Sequence, residues 1–566
     1  MCVKINNKFR SGAALLIVLF IVMVITLLSL GFLSRSDVEL ACGKNMVLRT
    51  QMDYLAESGL EHAKGLILNP QDLETEYYTG SPGLQLVEGR DDYYNVSVTL
   101  DNSDPKDQCN YTIDCNAFKL KAGERIGESN LRAQLRLDPC VALWTEGNTA
   151  IWDFVKIYGD VFCNGVLNSC GTIDGDVFAN ELTGKGARSG QRFDADELSL
   201  VWPGITVNGF SDKPGVTYQS GDFTLSKNVE GMLLIDGNLT VRQDSKVKIT
   251  ASKNQPALYV TQDLIIEKNV NLDIEGLAAV GGNVFVNSDA NVNIVGGLFT
   301  KGTLYETASD SSSYNNCAVL YNGPEWTTGL FGGALKFDGS DDKIENSSVP
   351  DLINGLPAIT FSLWVKSDVT SEDRDIFYTC EPTGADEGLG IRYDRTGASG
   401  GGVDGIKASI RTTTGYAQIE SASGVQTSDW QHLAITWESD SLDSHLKLYI
   451  NGVLDTPRYD RGPVYGVVTG IQKLMLGCGS KNTHWDGLID DVRVYDRALS
   501  SKEVNDVKAG ANVTGLILHW DFDESRGIVN VIASPQKTAI NIFSDDGDVE
   551  KWGQAAGAFY RSIQRR

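Results

Sequence analysis

An uncharged apolar segment near the N-terminus, Ala13–Phe32, constrains this chain more than any other part of it. At 1.5 Å per residue it forms a helix of about 30 Å, which matches the hydrocarbon core of a bilayer. Lys4, Lys8 and Arg10 precede it, and a basic flank stays on the cytoplasmic side. The sequence therefore predicts a single-pass protein of the inner (cytoplasmic) membrane. Its N-terminus lies in the cytoplasm, and everything after residue 35 is extracytoplasmic.

The apolar run is longer than the about 7–15 residues of a cleaved signal peptide, and Gly31–Arg35 is a poor cleavage site. A plain signal anchor remains open, since it requires only the apolar run. A third interpretation depends on the leader, because Lys8–Gly12 meets Ala13 with no polar spacer.

A short basic leader that ends in Gly and abuts an apolar helix resembles the prepilin-type leader of type IV pilins and type II secretion pseudopilins. The resemblance implies cleavage after Gly12, so that Ala13 becomes the first mature residue. Most major pilins carry Glu as fifth mature residue, where this chain has Ile17. Large minor members lack that Glu as well. The resemblance therefore implies a minor or tip subunit whose partners are other pilin-like subunits.

The apolar helix continues as a stalk. Apolar residues from Met52 to Ile67 recur at spacings of three and four, which predicts one helix from Ala13 to about Leu68 that ends at Asn69-Pro70. Three runs that favour strands follow, and these are Tyr93–Leu100, Asn110–Leu120 and Ser129–Leu137. We therefore expect a leader over 1–12, a helix over 13–69 and a small pilin-like antiparallel sheet over 70–142.

The charge balance limits the partners. The chain has 49 basic and 74 acidic side chains and a formal net charge of −25. Such a surface repels phosphate backbones, which excludes nucleic acid as a partner. In an exported chain, cysteines that are close in sequence are disulfide candidates, and two such pairs occur, Cys109 with Cys115 and Cys163 with Cys170.

Residues 143–305 contain a weak repeat of short strands. Ile157–Phe162, Ile173–Phe178, Ile235–Thr240 and Val280–Phe285 each place a turn before a short apolar strand, and several copies lie 16 to 25 residues apart. This period favours a parallel β-solenoid, in which neighbouring coils bury one another. An irregular antiparallel sandwich is the alternative.

Six ordered sequence blocks follow the repeat, and they are Asp310–Pro324, Trp326–Asp342, Phe361–Lys366, Trp430–Trp437, Leu446–Gly452 and Trp485–Ser500. They resemble the laminin-G-like (concanavalin A-like) jelly-roll domain of bacterial surface proteins. The resemblance implies an antiparallel β-sandwich over 306–566 and adhesion or glycan binding. Alternation within the blocks places Trp364, Trp437, Leu433, Ile435, Leu448 and Ile450 in the core.

The segment Gly515–Glu524 resembles the first strand of the same family, although it lies at the other end of the domain. We therefore expect residues 515–524 to complete the sandwich in the first-strand position, as in a circular permutation. The tail Lys551–Arg566 favours neither a strand nor a basic helix.

Two acidic loops are candidates for a metal. Calcium takes about six to eight oxygen ligands from flexible loops. The family often places one calcium at these blocks, which implies Asp338, the Gly339 carbonyl, Asp341 or Asp342, and Asp490 as ligands of one structural calcium. Solvated turns are the alternative.

No catalytic pattern is found. Glucanases of this fold carry Glu-x-Asp-x-x-Glu on one strand, because glycoside hydrolysis needs two carboxylates at a fixed separation. No such strand occurs between residues 310 and 510, and Asp521–Glu524 lies at a strand end. The sequence thus predicts a multidomain, mainly β protein that is not an enzyme. A long transmembrane and stalk helix with a small antiparallel sheet is followed by a parallel β-solenoid and a C-terminal jelly roll. The predicted function is a minor or tip pilus or pseudopilus subunit with a lectin-type domain. An anchored carbohydrate-binding protein outside any filament is the alternative.

Overall fold

In the computed structural model, the described residues are 10–68, 83–101, 103–137, 140–197, 200, 202, 205–252, 255–379, 388–397, 404–439, 444–479, 483–524 and 527–534. The chain divides into two units, Met1–Asp138 with Ala556–Arg566, and Pro139–Ala555.

The first unit is built on one continuous helix, α1 (Arg10–Leu68), which confirms the long helix expected from the sequence. Within the described residues it is the one helix long and apolar enough to cross a membrane. A signal sequence meets the same criterion. The predicted processing residues Gly12 and Ala13 lie in its first turn. The predicted helix end at Asn69-Pro70 and the first nine leader residues lie outside the described residues.

An antiparallel sheet packs on the C-terminal half of α1, and its strands are β1 (Asp92–Leu100), β2 (Asn110–Lys121) and β3 (Glu124–Arg136). The strand order is β1-β2-β3. Ala122 and Gly123 have φ of 52° and 86°, as in a two-residue type I′ hairpin, so β3 begins five residues earlier than predicted. Gly59 allows the helix to approach the sheet, because a Cβ there would lie 2.3 Å from the Cys115 Sγ.

The second unit begins with short strands in three mostly parallel sheets. Its first strands are β4 (Val141–Thr145), β5 (Thr149–Ile151), β6 (Val155–Tyr158), β7 (Asp160–Ser169), β8 (Thr172–Asp174), β9 (Val177–Thr183), β10 (Ala187–Arg188) and β11 (Arg192–Phe193). A 3-10 turn (Ala195–Glu197) and α2 (Val207–Phe210) follow. The next strands are β12 (Val216–Ser220), β13 (Phe223–Leu225), β14 (Val229–Glu230), β15 (Met232–Asp236), β16 (Leu239–Val241), β17 (Lys246–Thr250), β18 (Leu258–Val260), β19 (Leu264–Ile266), β20 (Asn271–Glu275), β21 (Ala278–Val280), β22 (Val284–Asn287), β23 (Asn291–Val295), β24 (Leu298–Thr300) and β25 (Leu304–Ala308).

Each of these strands pairs in parallel with the equivalent strand one repeat away, and we call this part the stack. One sheet runs β11-β9-β7-β4-β24-β21-β18-β15-β12. The parallel pairing agrees with the repeat and not with the antiparallel alternative. The chain enters the stack in the middle, at β4, and proceeds to one end at β11. It then restarts at the other end, at β12, and returns to β24 beside β4.

The C-terminal strand β42 (Ile528–Ile532) closes this junction. It lies between β23 and β6, parallel to both, and supplies the third sheet of the central coil. The sequence assigned all of 306–566 to the sandwich, and this assignment is wrong for β42. The sequence of a five-residue apolar strand does not determine which sheet it joins. Here it fills the gap between two parallel strands of the stack.

Asp and Asn side chains at one corner of the stack form a ladder. Asp222, Asn238, Asp263 and Asn283 each accept, through Oδ1, the backbone N–H of the equivalent residue in the next coil, at 2.7–3.0 Å. Asp160 accepts the N–H of Asp176 in the same way. These bonds satisfy backbone donors at the corners, where the sheet ladder is interrupted.

The connection from β11 to β12 covers one face of the stack. Its apolar residues, among them Ile205 and Phe210, share a core cluster with Trp144 and Phe162 of the strands beneath. Trp144 stacks on Phe162 with ring centroids 6.1 Å apart. Strands β10 and β11 still pair in the stack, so the connection that interrupts the repeat begins only after Phe193.

The rest of the unit, residues 309–524, is the sandwich. Its elements are β26 (Ala318–Tyr321), β27 (Glu325–Thr328), β28 (Gly333–Asp338), β29 (Lys343–Asn346), α3 (Pro350–Ile353), β30 (Ala358–Ser367), β31 (Arg374–Tyr378), β32 (Gly390–Asp394), β33 (Gly405–Thr412), β34 (Gly415–Glu420), β35 (Gln431–Glu438), β36 (Lys447–Ile450), β37 (Val453–Leu454), β38 (Tyr459–Asp460), β39 (Leu474–Leu476), β40 (Asp486–Tyr495), α4 (Ser501–Lys508) and β41 (Leu516–Trp520).

Two antiparallel sheets enclose the sandwich core. One contains β27-β28-β40-β30-β35-β36-β37, with β41 beside β40. The other continues from the stack, because β25 pairs with β26, and forms a sheet of 13 strands. Strand β41 pairs with β40, and the Ser311 N–H donates to the His519 carbonyl at 2.8 Å.

One predicted core residue, Trp364, faces the other way. Phe361, Leu363 and Val365 are buried in the core, so the alternation of β30 turns Trp364 outward. Its ring contacts Phe331 instead, with ring centroids 6.1 Å apart. The prediction that side chains of β30 alternate was right, but it assigned Trp364 to the wrong face of the strand.

The predicted cysteine pairs are wrong. Cys115, Cys163 and Cys170 are free thiols, whereas Cys109, the partner predicted for Cys115, takes part in a different disulfide. The members of each predicted pair are six or seven residues apart along extended chain. At about 3.3 Å per residue this separates their Cα atoms by roughly 20 Å, against the about 4.4–6.8 Å of a disulfide.

Candidate functional site

The first candidate is the acidic loop that follows β28. The carboxylates of Asp338, Asp341 and Asp342 lie within 4.8 Å of one another. Asp342 is buried and accepts the Asp338 N–H at 3.0 Å, whereas Asp338 and Asp341 are exposed. Burial and the charge of Asp338 raise the pKa of Asp342 to about 7. Three carboxylates on a bent loop fit a hard cation with oxygen ligands.

Two other predicted ligands fit less well. The Gly339 carbonyl accepts a hydrogen bond from Arg374 Nη1 at 3.3 Å, and this positive group competes with a cation for the same oxygen. The structure instead brings Asp486 to the loop, directly across the strand pair from Asp338. Sequence reasoning missed Asp486, because the register of β28 on β40 is needed to find it.

Asp490 is not part of the acidic loop, and its prediction as a ligand is wrong. It lies four residues beyond Asp486 on β40, a distance of about 13 Å along a strand. Its Oδ2 accepts the N–H groups of Leu330 and Phe331 at 2.7 and 3.0 Å. Burial raises the pKa of Asp490 to about 7. This carboxylate holds the β27–β28 hairpin against β40.

The second candidate lies on the 13-stranded sheet, on the side away from the core. Cross-strand neighbours there form two polar rows, Asp375–Arg392–Lys407–Glu420 and Tyr378–Gly390–Ser409–Gln418. We call these eight residues the polar face, and all of them are buried. Six of the eight also line a narrow pocket.

Arg392 stands at the centre of the polar face. Its side chain is 7% exposed, and its Nη atoms lie 3.6 and 3.7 Å from Asp373 and Asp375, beyond hydrogen-bond distance. Neither Nη atom has a hydrogen-bond partner among the described residues. The pocket has a volume of about 10 Å³, which is room for about one water or one hydroxyl group of a ligand among these donors and acceptors. Alternation in β32 and β33 marks these residues as outward, but does not reveal that they converge.

The acidic residues after β41 join parts of the chain together. Asp521 Oδ2 accepts the Ser311 hydroxyl at 2.6 Å, and Asp523 Oδ1 accepts the Gly333 N–H at 2.6 Å. Glu524 accepts the Ser309 N–H, and burial raises its pKa to about 8. Each carboxylate thus joins the segment after β41 to another segment of the chain at the edge of the sandwich.

The comparisons with known proteins concern the sandwich. The Laminin_G_3 family model, described as the Concanavalin A-like lectin/glucanases superfamily, matches residues 338–505, less than half of the chain. No curated protein sequence matches the chain.

Two solved structures illustrate the likeness of fold. Domain 4 of AbnA, a GH43 extracellular arabinanase from Geobacillus stearothermophilus, in complex with arabinotriose, is 19% identical with a TM-score of 0.26. The match covers 36% of this chain and 98% of that one. The botulinum neurotoxin serotype G binding domain is 14% identical with a TM-score of 0.29. That match covers 36% of this chain and 48% of the toxin domain, so the chain spans about half the length of that domain. At these values neither likeness carries an argument about ligands.

Proposed function

We propose that this protein is a membrane-anchored, pilin-like surface subunit that presents a lectin-type sandwich to a glycan. The observation that carries the proposal is the continuity of α1. Its apolar N-terminal half is exposed, as at Leu16 (71%), and its C-terminal half packs on a small antiparallel sheet. A helix of this kind anchors a subunit in the membrane and offers an apolar surface to the helices of other pilin-like subunits.

Ile17, where most major pilins have Glu, supports a minor or tip position in a type IV pilus or a type II secretion pseudopilus. Mass spectrometry of the mature chain tests this part of the proposal. An N-terminus at Ala13 is expected. An intact Met1 would contradict processing and favour the second candidate, an anchored carbohydrate-binding protein outside any filament.

Glycan binding is assigned to the polar face. The match of residues 338–505 to a lectin-type family supports it, as do the Nη atoms of Arg392, which have no hydrogen-bond partner among the described residues. Hydroxyl groups of a sugar pair with such donors, and a buried site makes each lost bond costly. We propose binding without catalysis, because the acidic residues at the edge of the sandwich are engaged in joining its strands.

A glycan array tests the binding. The full chain is expected to bind at least one glycan, and Arg392→Ala is expected to weaken that binding about tenfold or more, as for a charged hydrogen bond of roughly 1.5–3 kcal/mol. Arg242→Ala, an exposed arginine of the stack, is the matched control. Circular dichroism verifies that both variants are folded. Binding that is equal in the two variants would contradict the assignment to the polar face.

We further propose that the stack is a β-solenoid spacer and that Asp338, Asp341 and Asp342 hold one structural calcium. The spacing of three converging carboxylates supports the metal. A bound calcium would neutralise the loop between β28 and β29, which belong to different sheets of the sandwich.

A further inference from the structure

A row of buried polar atoms lies on the sandwich sheet that contains β30, on the side away from the core. Trp364 of β30 is the cross-strand neighbour of Asp490 on β40 and of His432 on β35. Asp490 is 0% exposed and His432 is 1% exposed. Asp490 Oδ1, Trp364 Nε1 and His432 Nδ1 are all buried and have no hydrogen-bond partner among the described residues. We call these three residues the unsatisfied row.

The unsatisfied row is compact enough for one small ligand. Buried donors and acceptors are normally paired, because an unpaired one loses its hydration without compensation. Cross-strand neighbours on one face hold their Cβ atoms about 4.5–5.5 Å apart, so a single small molecule can contact all three side chains. The ring centroids of Trp364 and His432 are 5.3 Å apart, and His432 Nε2 lies 2.8 Å from Ser362 Oγ. The pairing of Nε2 leaves Nδ1 of the same ring as the atom available to a ligand.

The tip of the β27–β28 hairpin covers the unsatisfied row. Asp490 Oδ2 accepts the N–H groups of Leu330 and Phe331 and thereby fixes the backbone of the tip. The Phe331 ring packs edge-on against Trp364, although Phe331 is 36% exposed. Exposed side chains change rotamer within picoseconds to nanoseconds. Rotation of the Phe331 side chain would therefore open the row while the backbone of the tip keeps its two bonds to Asp490.

The charges around the unsatisfied row favour a cation. Burial and the negative charges of Asp491 and Asp523 raise the pKa of Asp490 to about 7. The Arg493 guanidinium donates to Asp491 at 2.8 Å, so its positive charge is already paired. A buried carboxylate beside two further carboxylates is stabilised by a positive group, and the faces of aromatic rings attract cations as well. The site thus suits an ammonium group.

We propose that the unsatisfied row binds an amino sugar that carries a free ammonium group. The ammonium group donates to Asp490 Oδ1 and His432 Nδ1, and a ring hydroxyl of the sugar accepts the Trp364 N–H. Each of the three buried atoms then has a partner, and the Phe331 ring packs against the apolar face of the sugar. The match of residues 338–505 to a lectin-type family includes the whole row and favours a sugar as the carrier of the ammonium group.

This site is independent of the polar face. The polar face lies on the 13-stranded sheet, whereas the unsatisfied row lies on the other sheet of the sandwich. Failure of glycan binding at the polar face would therefore leave this proposal standing, and the reverse holds as well.

Isothermal titration calorimetry of the full-length chain with glucosamine tests the proposal, with glucose and N-acetylglucosamine as neutral comparison sugars. We expect glucosamine to bind, and both neutral sugars to bind at least about tenfold more weakly, because they lack the charged hydrogen bonds. Asp490→Asn keeps an oxygen for the hairpin N–H groups but removes the charge, so it should weaken glucosamine binding about tenfold or more. Asp351→Asn, at an exposed carboxylate of α3, is the matched control.

Trp364→Phe is a second variant, because it keeps an aromatic ring and removes the indole N–H. It should weaken glucosamine binding about fivefold, and it decides the question if Asp490→Asn does not fold by circular dichroism. Equal binding of the three sugars would overturn the proposal, since the charge would then not be recognised. Absence of glucosamine binding, or equal effects of Asp490→Asn and Asp351→Asn, would also overturn it and would leave ordered water only as the partner of the row.

Discussion

The central coil of the stack makes a quantitative prediction about β42. Val531 is fully buried between Ile294 of β23 and Ile157 of β6, and both neighbours are buried too. Val531→Ala removes two methyl groups, at about 0.8 kcal/mol each. Strands bonded on both sides cannot close the cavity, which brings the expected cost to about 2–3 kcal/mol.

Hydrogen exchange of the backbone amides in β42, β23 and β6 measures this cost. Since 1.4 kcal/mol is a factor of ten, exchange through local opening should become roughly 30- to 150-fold faster. Ile528→Ala is the matched control on the same strand, because Ile528 is 42% exposed. This substitution removes more atoms than Val531→Ala but should cost less free energy of unfolding. Equal acceleration by the two substitutions would show that β42 does not hold the two halves of the stack together.

The corner ladder, the sandwich interior and the acidic loop give three further predictions. Asp263→Ala leaves the Asn283 N–H without its acceptor and should destabilise the stack by about 1–3 kcal/mol, measured by the same hydrogen exchange. Unchanged exchange would show that the ladder does not stabilise the stack. Burial lowers the pKa of His432 to about 3, below its value of 6.5 when unfolded, so the unfolded chain binds more protons between these values. Stability should therefore fall as pH drops from 6.5 towards 3, and His432→Gln should flatten this dependence in urea titrations. Calcium should raise the melting temperature of the chain but not of Asp342→Asn, with Asp351→Asn as the control, and an equal response of all three would refute the calcium site.

Sequence periodicity was sufficient for the elements that depend on local pattern. The three-four spacing from Met52 to Ile67 predicts a helix with one buried face, and that face packs on the sheet. The likeness of Gly515–Glu524 to a first strand predicts that the segment joins the sandwich, and β41 pairs there with β40. Both predictions depend only on the apolar pattern within each segment, which must be buried whatever the rest of the chain does.

Sequence reasoning was insufficient where the outcome depends on register. Asp490 and Asp486 are both acidic residues of β40, but only the pairing with β28 determines which one meets the acidic loop. The repeat predicts coils that stack, but it does not order them, because any coil with an apolar interior can follow another. The place of Ile528–Ile532 depends on that order and is not visible in its own residues.

The junction in the stack also determines how the protein bears a pull between its head and its N-terminal unit. Such a load reaches the stack at the start of β4, at the end of β25 and at the start of β42, where the chain returns from the sandwich. Strand β24, which precedes β25, is paired in parallel with β4. Opposite ends of neighbouring strands are then drawn apart along their length. In this shear geometry the backbone hydrogen bonds of the pair share the load, whereas peeling from one end would break them in succession. The circular order of the coils therefore places the N-terminal attachment on β4, a strand hydrogen-bonded on both sides, and not on an end strand of the stack.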